Sequence, residues 1–126
     1  FLGDKWPAID FYAELLTVEA TRPYFFGQAK ATSVALGARS QFLPISARRE
    51  DITRLLNIPG PTYLFGVHEP TRRVFVRFIP SRTPPKAITR IPIEHELTSQ
   101  NLQILHDEVC QFWSETTHKP IQSAFA

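Results

Sequence analysis

Two stretches near the start of the chain decide the fold: residues 8–16, AIDFYAELL, and residues 24–32, YFFGQAKAT. In both stretches the character of the side chains alternates with a period of two, which is typical of β-strands that have two unlike faces. A polar, turn-like segment separates them, so we expect them to pair as an antiparallel hairpin. In that pairing Asp10 lies across from Gln28 and Lys30, and the three side chains share one face of the hairpin.

The rest of the chain predicts a helix, two more strands and a second helix. We expect a loop or irregular edge over 33–44, a helix capped by Ser46 and ending at 57, strands at 62–68 and 73–79, a proline-rich loop over 80–92, and a helix over 99–115. The last helix carries an apolar stripe of Leu102, Leu105, Val109 and Phe112. Residues 116–126 show no strong periodicity. This order predicts an α/β fold, a mixed sheet of two hairpins flanked by helices.

Composition is that of an ordinary globular protein. The 126 residues are 43% hydrophobic and 21% charged, with a net charge of +2, so we expect one domain over residues 1–126. No apolar run is long enough to span a membrane, and no secretion signal is apparent. The single cysteine, Cys110, cannot form an internal disulfide, and we expect a cytoplasmic location.

Other kinds of site find little support in the sequence. The four histidines, at 68, 95, 106 and 118, lack the close spacing of zinc ligands. Four phenylalanines at strand spacing, Phe11, Phe25, Phe65 and Phe75, are expected in the core rather than as stacking surfaces for bases.

The predicted face of the hairpin has the residue types that phosphodiester hydrolysis needs. The carboxylate of Asp10 is a hard ligand for magnesium, and the amide oxygen of Gln28 and the carbonyl of Ala29 can supplement it. Lys30 can stabilise negative charge at phosphorus or hold the attacking water. Glu14, on the same strand face as Asp10, is a more distant reserve ligand.

This pattern resembles the PD-(D/E)xK nuclease superfamily, in which an Asp on one strand and an acid-x-Lys on its hairpin partner form the site. Pro7-Ala8-Ile9-Asp10 stands for the first part and Gln28-Ala29-Lys30 for the second. Together with "LLNIPGPTYLFGV" and "LHDEVCQFW", the order of these segments is similar to a bacterial domain family of unknown function assigned to that superfamily. The likeness runs from about residue 8 to residue 115.

The resemblance implies a restriction-endonuclease-like fold and cleavage of DNA with Mg²⁺ or Mn²⁺. Two features depart from the pattern: Gln28 replaces the usual acid, and the helix expected before the first strand, with a possible Glu, is absent, so we expect the chain to be truncated at its N-terminus. Related nucleases often act as dimers. Arg48, Arg49, Arg73 and Arg77 are the candidate phosphate contacts.

Alternatives to a nuclease stay open at this point. Lys30 and Asp10 can form a purely structural ion pair. The chain can also be an inactive module that keeps the fold and binds nucleic acid or a protein, or an interaction domain of a larger bacterial defence assembly.

Overall fold

The structure, a computed structural model, describes residues 11–15, 23–57, 59–80, 82–114 and 122–126. Within these ranges the elements are β1 (Phe11–Glu14), β2 (Tyr24–Thr32), β3 (Phe42–Ala47), α1 (Arg49–Leu56), β4 (Thr62–His68), β5 (Arg73–Phe78), β6 (Ile88–Pro92), a short 3-10 helix (Ile93–His95) and α2 (Ser99–Ser114).

The central sheet is mixed and has the strand order β1-β2-β4-β5. β1 pairs antiparallel with β2, with Phe11 opposite Gly27, and β4 pairs antiparallel with β5. The two hairpins join through parallel pairing of β2 with β4, which places Gln28 beside Leu64. The predicted pair of hairpins in an α/β mixed sheet is therefore confirmed. β4 is almost wholly buried, as its continuous apolar sequence predicts.

The two faces of the central sheet bury separate cores. Leu64 and Phe75 face β3, β6 and α1, whereas Phe25 and Phe65 face α2. Because side chains alternate along a strand, the even-numbered residues of β2 lie on the α1 side and the odd-numbered residues on the α2 side. Gln28 and Lys30 consequently share the α1 side.

A second sheet of two strands, β3 and β6, covers the α1 side of the central sheet. The sequence analysis predicted loops over 33–44 and 80–92, and this was wrong for the parts that form these strands. Their pairing joins segments far apart in the sequence, and its register shifts between Pro44 and Ala47, so the local pattern of alternation is weak. Gly66 permits the close approach, because a Cβ there would lie 2.7 Å from Leu43 Cδ2.

Both helices exist, but some of their predicted details were wrong. Ser46 lies in β3, and the residue that precedes α1 is Arg48. In α2, Leu105 and Val109 are buried as predicted, whereas Leu102 is 54% exposed. None of the helices in the described ranges has the length and apolar character that crossing a membrane requires.

The end of the chain contributes to the core on the α2 side, although its sequence shows no periodic pattern. Phe125 is 2% exposed, and its carbonyl accepts a hydrogen bond from the backbone N–H of Phe78. The carboxylate of Glu108 accepts hydrogen bonds from the hydroxyls of Tyr63, at 2.6 Å, and Ser123, at 2.8 Å. These contacts fasten residues 122–126 to α2 and to the sheet.

Candidate metal and nucleic-acid site

Two successive even-numbered residues of β2, Gln28 and Lys30, carry the candidate site, on the sheet face that also holds α1. Gln28 and Lys30 pair with Leu64 and Gly66 of β4, and Leu64 belongs to the core on that face. Ala29 lies between them with its side chain on the opposite face. The alternation read from the sequence thus places the amide and the ammonium together.

Gln28 is the unusual member of this group. Its side chain is only 7% exposed, and its Oε1 has no hydrogen-bond partner within the described ranges. A buried amide oxygen without a donor costs free energy, so such atoms are rare in folded proteins. The atom is a buried acceptor with a free lone pair, a property that suits a bound cation or a ligand donor.

Among the described residues, Lys30 pairs with the carboxylate of Asp51 in α1. The Nζ atom of Lys30 lies 3.4 Å from Asp51 Oδ2, and both side chains are partly exposed. The same carboxylate oxygen accepts a hydrogen bond of 3.2 Å from the backbone N–H of Arg48. Asp51 therefore joins the lysine to the first turn of α1, where a negative side chain is favourable.

Sequence reasoning missed Asp51. The available signal was an acid in the first turn of α1, the helix that leads from β3 into β4. Such a connecting helix must pack on one face of the sheet, and here that face is the one bearing Lys30. The sequence does not indicate on which face of the sheet this helix packs.

Asp10, the predicted carboxylate ligand, lies outside the described residues. The hairpin register next to it is as expected, with Phe11 opposite Gly27 and Tyr12 opposite Phe26. The reserve ligand, Glu14, lies opposite Tyr24 and accepts a hydrogen bond from the hydroxyl of Tyr12. Glu14 is thus well separated along the strand from Gln28.

The four predicted phosphate-binding arginines do not form one group. Arg48 and Arg49 are exposed at the start of α1, close in sequence to the carboxylate that holds Lys30. Arg73 and Arg77 lie on β5, which β4 separates from β2.

The two arginines of β5 also differ in their surroundings. Arg73 binds Glu96 through two hydrogen bonds, of 2.8 and 3.1 Å, and this contact raises the pKa of Arg73 and lowers that of Glu96. Arg77 donates to the carbonyl of Arg90 at 3.0 Å. Burial, and then the nearby charge of Arg90, lowers the pKa of Arg77.

The donor chemistry fits a hard divalent cation, with oxygens that magnesium or manganese prefers. Gln28 Oε1 is a buried amide oxygen with no hydrogen-bond partner among the described residues. Among the residues that the structure describes, no three or more His, Cys, Asp or Glu side chains cluster as a ready metal site.

The described histidines have other partners. His68 is buried, and its ring nitrogens contact Thr71 Oγ1 at 2.6 Å and the carbonyl of Val34 at 2.7 Å. The ring of His95 contacts the carbonyl of Val76 at 3.0 Å, and burial lowers its pKa. His106 lies 3.7 Å from the sulfur of Cys110 on α2.

Comparison with known proteins returned no match: no family model, no curated protein and no solved structure is significantly similar to this chain.

Proposed function

We propose that this chain is a metal-dependent nuclease with a restriction-endonuclease-like fold, which hydrolyses phosphodiester bonds of DNA with Mg²⁺ or Mn²⁺. The proposal rests on one observation above all. The buried Oε1 of Gln28, which has no hydrogen-bond partner among the described residues, lies on the same strand face as the ammonium group of Lys30. An antiparallel hairpin whose second strand pairs in parallel with β4, through a connection that contains β3 and α1, supports the fold part of the proposal.

In this proposal the chain's own residues have distinct tasks. Gln28 Oε1, the carbonyl of Ala29 and the carboxylate of Asp10 would hold the cation. When bound, the cation lowers the pKa of water and offsets negative charge on the phosphate. Lys30 contacts a phosphate oxygen or the attacking water and stabilises the charge that develops as water adds to phosphorus and the P–O bond breaks. Asp51 is a positioning residue that holds the lysine side chain.

A cleavage assay with magnesium tests this assignment. We expect Lys30→Ala to lower the rate of DNA cleavage by about 100-fold or more, the size of effect seen when one stabilising donor is removed. Lys86→Ala, which changes an exposed lysine in the loop before β6, serves as the matched control and should cleave as the wild type does. Equal cleavage by Lys30→Ala and the wild type would remove the lysine from the mechanism.

A second candidate is an inactive module that keeps the fold and binds nucleic acid or a protein partner. The observation that favours it is the ion pair of Lys30 with Asp51, which occupies the lysine without any substrate. DNA binding that persists in a chelator, with no cleavage in Mg²⁺ or Mn²⁺, would select this candidate.

A further inference from the structure

A group of three aromatic rings continues the candidate site toward the start of β2. Tyr12, Tyr24 and Phe26, here called the aromatic face, lie on the same side of the hairpin as Gln28 and Lys30. We infer that the aromatic face binds unpaired bases of a single-stranded nucleic acid, an inference that rests on the proposed nuclease function and names its substrate class.

The three rings form one contiguous surface. Their centroids are 5.5 Å apart for Tyr12 and Tyr24, 5.7 Å for Tyr12 and Phe26, and 5.6 Å for Tyr24 and Phe26. Trp113 of α2 supports this surface, because its ring lies 4.4 Å from that of Tyr24 and its Nε1 donates a 2.8 Å hydrogen bond to the carbonyl of Tyr24. Rings held in this way lose little freedom when a base stacks on them.

The aromatic face does not belong to the interior of the protein. Its three members are absent from both buried clusters of the described residues, whereas Phe11 and Phe25, from the other face of the same strands, pack in the core on the α2 side. Tyr12 is 44% exposed. Tyr24 and Phe26 are half-buried, so Tyr12 is the ring of the aromatic face that a base reaches most readily.

Charged side chains of opposite sign lie at the two ends of this surface. Tyr24, Phe26, Gln28 and Lys30 succeed one another at two-residue steps of about 7 Å, so the aromatic rings lead directly to the candidate phosphate site. The ammonium of Lys30 is at one end, and the exposed Arg48 and Arg49 follow in the first turn of the helix that contacts it. The carboxylate of Glu14 is at the other end, opposite Tyr24.

This arrangement suits a strand whose bases lie over the rings while a phosphate meets Lys30. Every nucleobase has a flat face that stacks on an aromatic side chain, so this contact needs no particular base sequence. In a duplex those faces are covered by the neighbouring base pairs. The aromatic face consequently selects single strands, frayed ends or flipped-out bases over intact duplex.

Binding measured in a chelator tests the inference without any cleavage. The probes are a fluorescein-labelled oligothymidylate and a labelled duplex of equal length, followed by fluorescence anisotropy at fixed salt. We expect Tyr12→Ala to weaken binding of the oligothymidylate by about 5- to 150-fold, the usual effect of losing one stacking ring. The affinity for duplex should hardly change.

Two control variants separate stacking from other effects. Tyr12→Phe keeps the ring and removes the hydroxyl that donates to Glu14, so it should bind like the wild type. Leu102→Ala removes another exposed apolar side chain, on α2, and should also leave binding unchanged. Circular dichroism and thermal melting verify that each variant is folded.

Several outcomes would overturn the inference. Unchanged affinity of Tyr12→Ala for the oligothymidylate would do so, as would an equal loss for single strand and duplex. If Tyr12→Ala changed the molecular mass of the assembly in solution and left nucleic-acid binding unchanged, a second copy of the chain would instead cover the aromatic face.

The inference and the nuclease proposal fail separately. If the protein binds oligothymidylate through Tyr12 but never cleaves DNA, the inference about the aromatic face stands and the nuclease proposal fails. If the protein cleaves DNA through Lys30 but Tyr12→Ala does not change its binding of oligothymidylate, the nuclease proposal stands and the inference about the aromatic face fails.

Discussion

Gln28 provides the sharpest test, because its buried oxygen affects stability and metal binding in opposite directions. Gln28→Met keeps an unbranched side chain of similar volume, so the packing around it is little disturbed. It removes a buried amide oxygen to which no described residue donates a hydrogen bond. Such an atom costs about 1–3 kcal/mol, and we expect the variant in a chelator to gain about 1–2 kcal/mol in free energy of unfolding.

In excess magnesium we expect the order of the two stabilities to reverse, with the wild type more stable than Gln28→Met. A cation that binds only the folded chain stabilises it, by about 2.7 kcal/mol at 100 times its dissociation constant. Wild type, with Gln28 available as a ligand, should gain this stabilisation, and Gln28→Met should gain less or none. The variant that is more stable in a chelator thus becomes the less stable one in excess magnesium.

Thermal melting followed by circular dichroism, with and without magnesium, measures both effects. For a chain of this size 1 kcal/mol corresponds to a change in Tm of about 3–6 °C. Gln41→Met, at an exposed glutamine before β3, is the control and should change neither value. A loss of stability in Gln28→Met in the chelator would refute the reasoning, since it would mean that the amide oxygen makes a favourable contact.

Two further substitutions test the packing and the electrostatics. Gly66→Ala introduces a Cβ 2.7 Å from a buried leucine side chain of the second sheet, so urea denaturation should show a loss of about 1–3 kcal/mol; an unchanged midpoint would contradict the close packing of the two sheets. Arg73 lowers the pKa of Glu96 below its ordinary value of 4.5, so the contact stabilises the fold above that value and the stabilisation is lost as pH falls through the pKa of the folded state. The stability of Glu96→Gln should therefore decline less than that of wild type below about pH 4.5; parallel curves would exclude a contribution from this ion pair.

Strand alternation was sufficient to predict most of the central sheet. The observed bounds of β2 and β4, Tyr24–Thr32 and Thr62–His68, are those predicted, and the antiparallel register of β1 and β2 follows from the turn between them. These features depend on neighbours in the sequence, so a local pattern contains them. The same alternation was sufficient to place Gln28 and Lys30 on one face.

The second sheet could not be predicted in this way. β3 and β6 are short, contain prolines and pair across a long separation in sequence with a shifted register. The apolar residues of β3 and β6 can be recognised as one buried face only once the central sheet packs against them. The same holds for Phe125, which is buried only because α2 and the sheet form a pocket around it.

The sequence by itself determined the strands of the central sheet and which side chains of β2 share a face, because the pleat of a strand alternates regardless of what packs on it. Only the tertiary structure decided that Asp51 pairs with Lys30 and that Gln28 is buried with no donor among the described residues. Both depend on which layer covers which face of the sheet, and that choice follows from the packing of distant segments rather than from any local pattern.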